Sequence, residues 1–166
     1  MRILSFFTIS ILVLLDQISK VYAQSNFVVP YQIINPWFRF RFVENHGVAF
    51  SMPVPSPFVI ILTVIVLIYL TLLLSGKHIV LKNQNSKKER QSIALEYIRL
   101  KKYEIMAIVL VFAGALGNLI DRIQFGAVTD FIAVGSFPVF NLADTWISVG
   151  VGIYLIGEMF GKKQTQ

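Results

Sequence analysis

The chain contains four aspartates, Asp16, Asp121, Asp130 and Asp144, and three of them fall within one short stretch. That stretch reads Gly117-Asn118-Leu119-Ile120-Asp121-Arg122, then Val128-Thr129-Asp130-Phe131, then Phe140-Asn141-Leu142-Ala143-Asp144. It lies between two strongly apolar segments, and a carboxylate beside lipid is costly enough that it is seldom kept without a use. Two carboxylates held close together cannot both ionise easily, so they share a proton. One can then act as general base on a water while the other, protonated, polarises a carbonyl. That is the chemistry of an aspartic protease. Intramembrane aspartates also serve ion or proton pathways, or stand as structural partners of arginine, lysine or asparagine. Transporters usually show internal repeats with sites near the midplane. No repeat is visible here, which favours an enzyme over an ion- or proton-coupled transport protein.

Other hydrolytic chemistries find little support. The chain has no cysteine, which excludes thiol nucleophiles, disulfides and cysteine metal sites. It has no His-Glu-x-x-His zinc motif, no Gly-x-Ser-x-Gly elbow and no glycine-rich phosphate loop. Ser19 and Lys20 are adjacent, so on a helix they point to different faces and make a poor dyad. With His46 and His78 as the only histidines, a histidine metal site is not expected, nor is any cofactor.

The elements that must carry these aspartates are membrane spans. The chain is 55% hydrophobic and 14% charged, whereas a soluble domain is about 25% charged. Apolar runs predict four transmembrane helices, near 3–23, 57–74, 104–123 and 142–160. The first is interrupted by Asp16, Gln17 and Lys20; Asp16 and Lys20, four apart, share a helical face. A cleaved signal peptide is the rival reading of this run, with Arg2 as its basic start, Ile3–Leu15 as its apolar core and Val21-Tyr22-Ala23 as its cleavage site. Three further spans in the same chain tell against it. At helical rise Asp16 lies about 20 Å beyond Ile3, past the midplane. The second run has no polar face and reads as a lipid-facing wall. In the third, Ala113-Gly114-Ala115-Leu116-Gly117 permits close approach of a neighbour, as do Ser148 and Gly152 in the fourth. Asp121 lies about 25 Å beyond Glu104 at helical rise, near a membrane surface. Arg122 is expected to pair with a nearby carboxylate, and Asp144 sits in a first helical turn, where the helix dipole favours it.

Between the spans, residues 24–55 break helix at Pro30, Asn35 and Pro36. Phenylalanines 38, 40 and 42 alternate with Arg39 and Arg41, the period of a half-buried strand. A small antiparallel sheet, aromatic face inward, is expected there. The segment 124–141 reads as turns, marked by Gly126, Gly135 and Pro138. Residues 76–103 form a basic loop, in which 89–103 could make a short surface helix with Ile93, Tyr97 and Leu100 on one face. That loop holds eight Lys or Arg against two in 24–55. Basic loops remain in the cytoplasm. Both termini are therefore expected inside, and the 24–55 and 124–141 connections outside. The net charge of +6 is explained by this orientation and calls for no nucleic acid. All four aspartates then converge on the outer third of the bundle.

Taken together, the motifs resemble those of a known family, lipoprotein signal peptidase or bacterial signal peptidase II. Asp16-Gln17-Ile18-Ser19-Lys20 is similar to the family's Asp-Gln-x-(Ser/Thr)-Lys, and Asn45-His46-Gly47-Val48-Ala49-Phe50 to its Asn-x-Gly-x-(Ala)-(Phe/Trp). The three segments of the 117–144 stretch follow in order. The resemblance covers nearly the whole chain, although the basic loop is longer than the family's usual connection and the segment from Asp130 to Asp144 is short. It implies a single integral-membrane peptidase domain over residues 1–166. The fold would be a four-helix membrane bundle with a small extracytoplasmic β-cradle, in the bacterial inner membrane. It implies Asp130 and Asp144 as the catalytic dyad, with Asp16, Lys20, Asn45, Asn118, Asp121, Arg122 and Asn141 lining or bracing the site. Choosing Asp130 over Asp121 rests on the family pattern. The implied substrate is a prolipoprotein whose cysteine already carries diacylglycerol, cut just before that cysteine. Membrane lipid is the other partner, no metal is implied, and a monomer is expected.

Overall fold

The computed structural model describes residues 2–47, 55–83, 91–97 and 100–161. The elements run α1 (Arg2–Asn26), β1 (Tyr31–Ile34), β2 (Phe38–Asn45), α2 (Ser56–Leu74), β3 (Lys77–Asn83), β4 (Gln91–Tyr97), α3 (Lys102–Phe125), β5 (Val128–Val134) and α4 (Leu142–Gly161). Val48, Ala49 and Phe50 of the asparagine motif lie outside the described residues, as do Lys87, Lys88, Arg90 and Arg99 of the basic loop and Lys162 and Lys163.

α3 is the axis of the bundle: α1, α2 and α4 all pack on it. Its small residues make this possible, since Ala107, Ala113, Gly114 and Gly117 are buried along its length. Ile9, Leu74, Val109 and Ala113 form an apolar cluster between α1, α2 and α3. The outer faces are apolar and exposed, for example Phe7 and Leu14 on α1, Ile61, Ile65 and Ile68 on α2, and Leu155 and Ile156 on α4. Such a surface is suited to lipid and not to water. α1, α2 and α3 are each long and apolar enough to cross a membrane. α4 has 20 residues, about 30 Å of helix, and carries Asp144 in its first turn and Glu158 near its far end.

Where α3 meets α4 the helices nearly touch backbone to backbone. A Cβ on Gly114 would collide with the carbonyl oxygen of Ala143 and with the Ile147 side chain. Gly150 is the matching contact on α4, against Ala107 and Val111 of α3. Gly152, expected from the sequence to make this contact, has open space around it and faces away. Because backbone cannot yield as a side chain can, Gly114→Ala is expected to cost about 1–3 kcal/mol by overpacking. Thermal unfolding in detergent checks this, and the same change at Gly152 should be nearly silent.

The sheet differs from expectation by one strand. β1 and β2 pair antiparallel as a hairpin, and β2 pairs on its other edge with β5. β5 comes from the segment that reads as turns. Its residues are buried on both faces, so it shows no polar–apolar alternation, and the glycines at its ends dominate the pattern. Gly126 caps α3 in the left-handed conformation at φ 74°, reversing the chain directly into β5. Phe40 packs inward, stacked on Phe27 with centroids 4.9 Å apart and 6.4 Å from Phe131, but burial does not alternate along β2, since Arg39 and Arg41 are half-buried like the phenylalanines.

The basic loop also differs. β3 and β4 form an antiparallel ribbon from Lys77↔Tyr97 to Asn83↔Gln91, in place of a surface helix. Ile93 and Tyr97 stand four apart, which fits a helical face, yet Ile93 to Tyr97 is also the alternation of a strand, and pairing with β3 decides between them.

Candidate active site

All four aspartates gather at the end of the bundle that carries the three-stranded sheet, in two groups joined by asparagines. The first group is a buried ionic node. Lys20 Nζ lies 2.8 Å from Asp16 Oδ2 and 3.2 Å from Asp121 Oδ2, and donates to Asn118 Oδ1 at 3.0 Å. Lys20 is 2% exposed and Asp16 is fully buried. Asp16 Oδ1 accepts the backbone N–H of Ala143 at 2.9 Å, in the first turn of α4. Asp121 Oδ2 accepts the N–H of Thr129 at 2.9 Å, so this carboxylate holds the start of β5 beneath α3. Gln17 Nε2 donates to Asp16, to Asp121 and to the Gly117 carbonyl. Each acceptor in the node is thus matched by a donor.

The second group contains Asp130 and Asp144. Asn141 precedes α4 and caps it reciprocally: Asp144 N–H donates to Asn141 Oδ1 at 2.9 Å, and Asn141 N–H donates to Asp144 Oδ2 at 3.2 Å. This is a capping box in which aspartate takes the place of the usual glutamate. The Asn141 amide then donates to Asp130 Oδ1 at 2.7 Å, and makes longer contacts to Asn118 Oδ1 and the Thr129 carbonyl. Asn118 Nδ2 donates to Asp144 Oδ1 at 2.8 Å, and Asn45 Nδ2 donates to Asp130 Oδ2 at 2.9 Å. Each carboxylate therefore has both oxygens occupied by fixed donors, and Asn141 touches both residues.

Asp130 and Asp144 line a cavity of about 830 Å³ that also meets Asn45, Asn118, Arg122 and Arg41. Asp16 and Asp121 are not part of its wall. The cavity lies between α2 and α4, reaching Thr63 on one and Ser148 on the other. Arg122 was expected to pair with a carboxylate. Instead its guanidinium donates to the carbonyls of Gly47 and Asn118, tying Gly47 of the asparagine motif to α3. His46 is largely exposed, 3.8 Å from Glu44.

Asp130 lies on β5, outside the spans, and its carboxyl is pushed up from 3.8 to about 7. Burial is the largest cause. The hydrogen bonds from Asn45 and Asn141 and the charge of Lys20 oppose it, while the charge of Asp144 adds to it. Near neutral pH Asp130 is about half protonated beside a second carboxyl group, the state in which one group can donate a proton while its neighbour accepts one.

The same shift has a consequence for stability. Between about pH 4 and pH 7 the folded protein holds a proton that the unfolded chain releases, so stability falls as pH rises through this window. Three units correspond to at most about 4 kcal/mol. Asp130→Asn removes this titration. Its unfolding free energy in detergent should fall less steeply than that of the wild type from pH 4 to pH 7, with the two curves parallel above that. Curves parallel throughout would show that Asp130 titrates normally.

The sequence motifs contain every residue of this network except a few. Gln24, which donates to Thr129 Oγ1 at 2.9 Å, and Thr63 carry no signal in the sequence that marks them, and the alternation that includes Arg41 marks it as part of a strand and not as a residue of the cavity. Gln17 lies inside the first motif, but its bridging role depends on α1 meeting α3.

The fold and site together define an integral membrane protein with a buried carboxylate site at one end of its bundle. The chain matches the family described as signal peptidase (SPase) II over residues 8–160. It is 33% identical to the lipoprotein signal peptidase of Syntrophus aciditrophicus, covering 98% of this chain and 95% of that one. The lipoprotein signal peptidase of Shewanella pealeana is 34% identical over 95% of this chain and 87% of its own. Two solved structures titled as a bacterial membrane enzyme are similar. One has a TM-score of 0.77 at 25% identity, covering 98% of this chain and 91% of the other; the second has a TM-score of 0.71 at 26% identity, covering 94% and 92%. The chain belongs to the signal peptidase II family, and it is a peptidase.

Proposed function

We propose that this protein is an intramembrane aspartic endopeptidase that removes signal peptides from diacylglyceryl-modified prolipoproteins, cutting before the lipidated cysteine. The observation that carries the reading is the pairing of Asp130 with Asp144, the two aspartates of the four that line the cavity, by shared asparagines. The family match favours this reading over ion or proton transport, for which no finding speaks.

In the proposed reaction Asp130 carries the shared proton and Asp144 is ionised. Asp144 takes a proton from a water, whose oxygen attacks the scissile carbonyl carbon. The Asp130 proton passes to the carbonyl oxygen, giving a tetrahedral diol. Collapse breaks the C–N bond, and the departing amine of the cysteine takes the proton held by Asp144, while the diol returns one to Asp130. Asn118, Asn141 and Asn45 hold the two carboxyl groups in place through these transfers. No metal or cofactor is required by these steps.

The substrate class fits the cavity's position. α2 and α4 both pack on α3 and leave the cavity between them, a flank through which a diacylglyceryl group can enter from lipid. The charge asymmetry of the loops supports an orientation with both termini cytoplasmic and the sheet on the outer face of the inner membrane. There a lipid-tethered cysteine presents its backbone at the depth of the dyad. A monomer suffices, since one chain supplies every group named.

The test is cleavage of a synthetic peptide bearing S-diacylglyceryl-cysteine by the purified protein, read by mass spectrometry. A product beginning at the lipidated cysteine, absent with the unlipidated peptide, is expected. Failure to cleave, together with aspartate-dependent ion flux in liposomes, would favour transport instead.

A further inference from the structure

Among the charged residues of the cavity wall, Arg41 is the one that nothing above employs. Asp130 and Asp144 are held by asparagines, and Arg122 is spent on two backbone carbonyls. Arg41 is half-buried, and its Nε–H is shut away from solvent with no hydrogen-bond acceptor among the described residues. A buried donor without a partner destabilises the protein that contains it. Its neighbours explain how it comes to be there. Arg41, Val43 and Asn45 are alternate residues of β2 that all line the cavity. The pairing with β5 shifts register between Phe40 and Val43, so that Arg41 and Phe42 together stand opposite Phe131. A bulge of this kind re-aims side chains and recurs next to active sites.

The cavity has two ends. One runs between α2 and α4 past Thr63, about 10 Å into α2 from Ser56. This end suits an apolar signal segment arriving from the membrane. The other end follows β2 away from the dyad. Asn45 touches Asp130, and Arg41 lies four residues along the strand from Asn45, about 13 Å. A substrate extended along the same strand reaches that distance three to five residues beyond the bond to be cut.

We propose that Arg41 is a specificity-determining residue that receives a carboxylate side chain on the mature side of the substrate, three to five residues after the cleaved bond. This rests on the peptidase reading above. The Nε–H and one terminal N–H of a guanidinium form a fork that matches the two oxygens of a carboxylate. An acidic side chain would thereby satisfy the stranded donor, whereas a lysine there would place like charges together.

The experiment uses the full-length protein and three diacylglyceryl peptides that differ only in carrying Asp, Asn or Lys at those positions. The wild type is expected to show kcat/KM about tenfold higher for Asp than for Lys, with Asn between. The ratio should shrink as salt is raised. Arg41→Gln should bring the Asp-to-Lys ratio close to one, Arg41→Glu should invert it, and Arg41→Lys should keep its sign at reduced size. A wild-type ratio near one overturns the proposal, as does a ratio that Arg41→Gln leaves unchanged. Should Arg41→Gln fail to fold, the wild-type ratio and its salt dependence still decide. If the wild type cleaves none of the three peptides, the peptidase reading has failed; if it cleaves all three equally, this inference alone has failed.

Discussion

Asp144→Asn and Asp130→Asn are each expected to lower kcat by about a thousandfold or more, within the range typical of lost general acid–base groups. Both changes are nearly isosteric. An asparagine at 144 can still accept from Asn118 or from the Asn141 N–H through its one oxygen, so the cap of α4 is weakened and not lost. At 130 one of the two donors, Asn45 or Asn141, is left facing an amide nitrogen, a cost of about 1–3 kcal/mol. The proteins should therefore fold while failing to turn over. Asp121→Asn should behave in the opposite manner. Its carboxylate holds the Thr129 N–H and Lys20 and lies outside the cavity wall, so stability should fall while the folded fraction retains much of its kcat. Comparing activity per folded molecule, with folding read by thermal unfolding, separates the two classes. Equal kcat losses at 121 and 130 would contradict the division of labour among the aspartates.

Much of this arrangement can be read before any coordinates. The apolar runs lie where α1, α2, α3 and α4 are found, because a helix exposed to lipid must be apolar on most of its surface. Asp16 and Lys20 share a face because of helical period, and that face does meet α3. What could not be read is set by pairing over long distances. β5 is buried on both sides, so its seven residues lack the alternation that marks Arg39, Phe40 and Arg41 in β2. The β3–β4 ribbon is invisible for a similar reason: an apolar residue every fourth position serves a strand as well as a helix. Arg122 shows a further limit. Its charge suggested a carboxylate partner, but nearby asparagines already occupy the oxygens of Asp130 and Asp144, and the guanidinium turns to Gly47 instead. The choice between Asp121 and Asp130 is of the same type. Both are single aspartates within the same short stretch, and the difference between them arises when Gly126 folds β5 back so that the Thr129 N–H meets Asp121.

Lys20→Met is expected to destabilise the protein by about 3–5 kcal/mol, the usual cost of removing one partner from a buried ion pair. This is a large share of the 5–15 kcal/mol that holds a typical protein folded. Methionine preserves length and apolar contact, so the effect isolates the charge. Without Nζ, Asp16 and Asp121 face each other across the α1–α3 contact as two carboxylates in a water-poor site, and Asn118 Oδ1 loses its strongest donor. Gln17 would remain as a bridge between them, but one neutral amide cannot replace a cation. Asp16→Asn alone should cost less, because Lys20 keeps Asp121 and Asn118. The double variant Asp16→Asn/Lys20→Met should then be more stable than the sum of the single losses predicts, by about 1–3 kcal/mol of coupling. Denaturant unfolding of the four proteins in detergent measures this. Additive losses would mean that the 2.8 Å contact contributes nothing of its own. A positive coupling would identify the ion pair as the joint through which α1 fixes α3, and through Asn118 the position of Asp144.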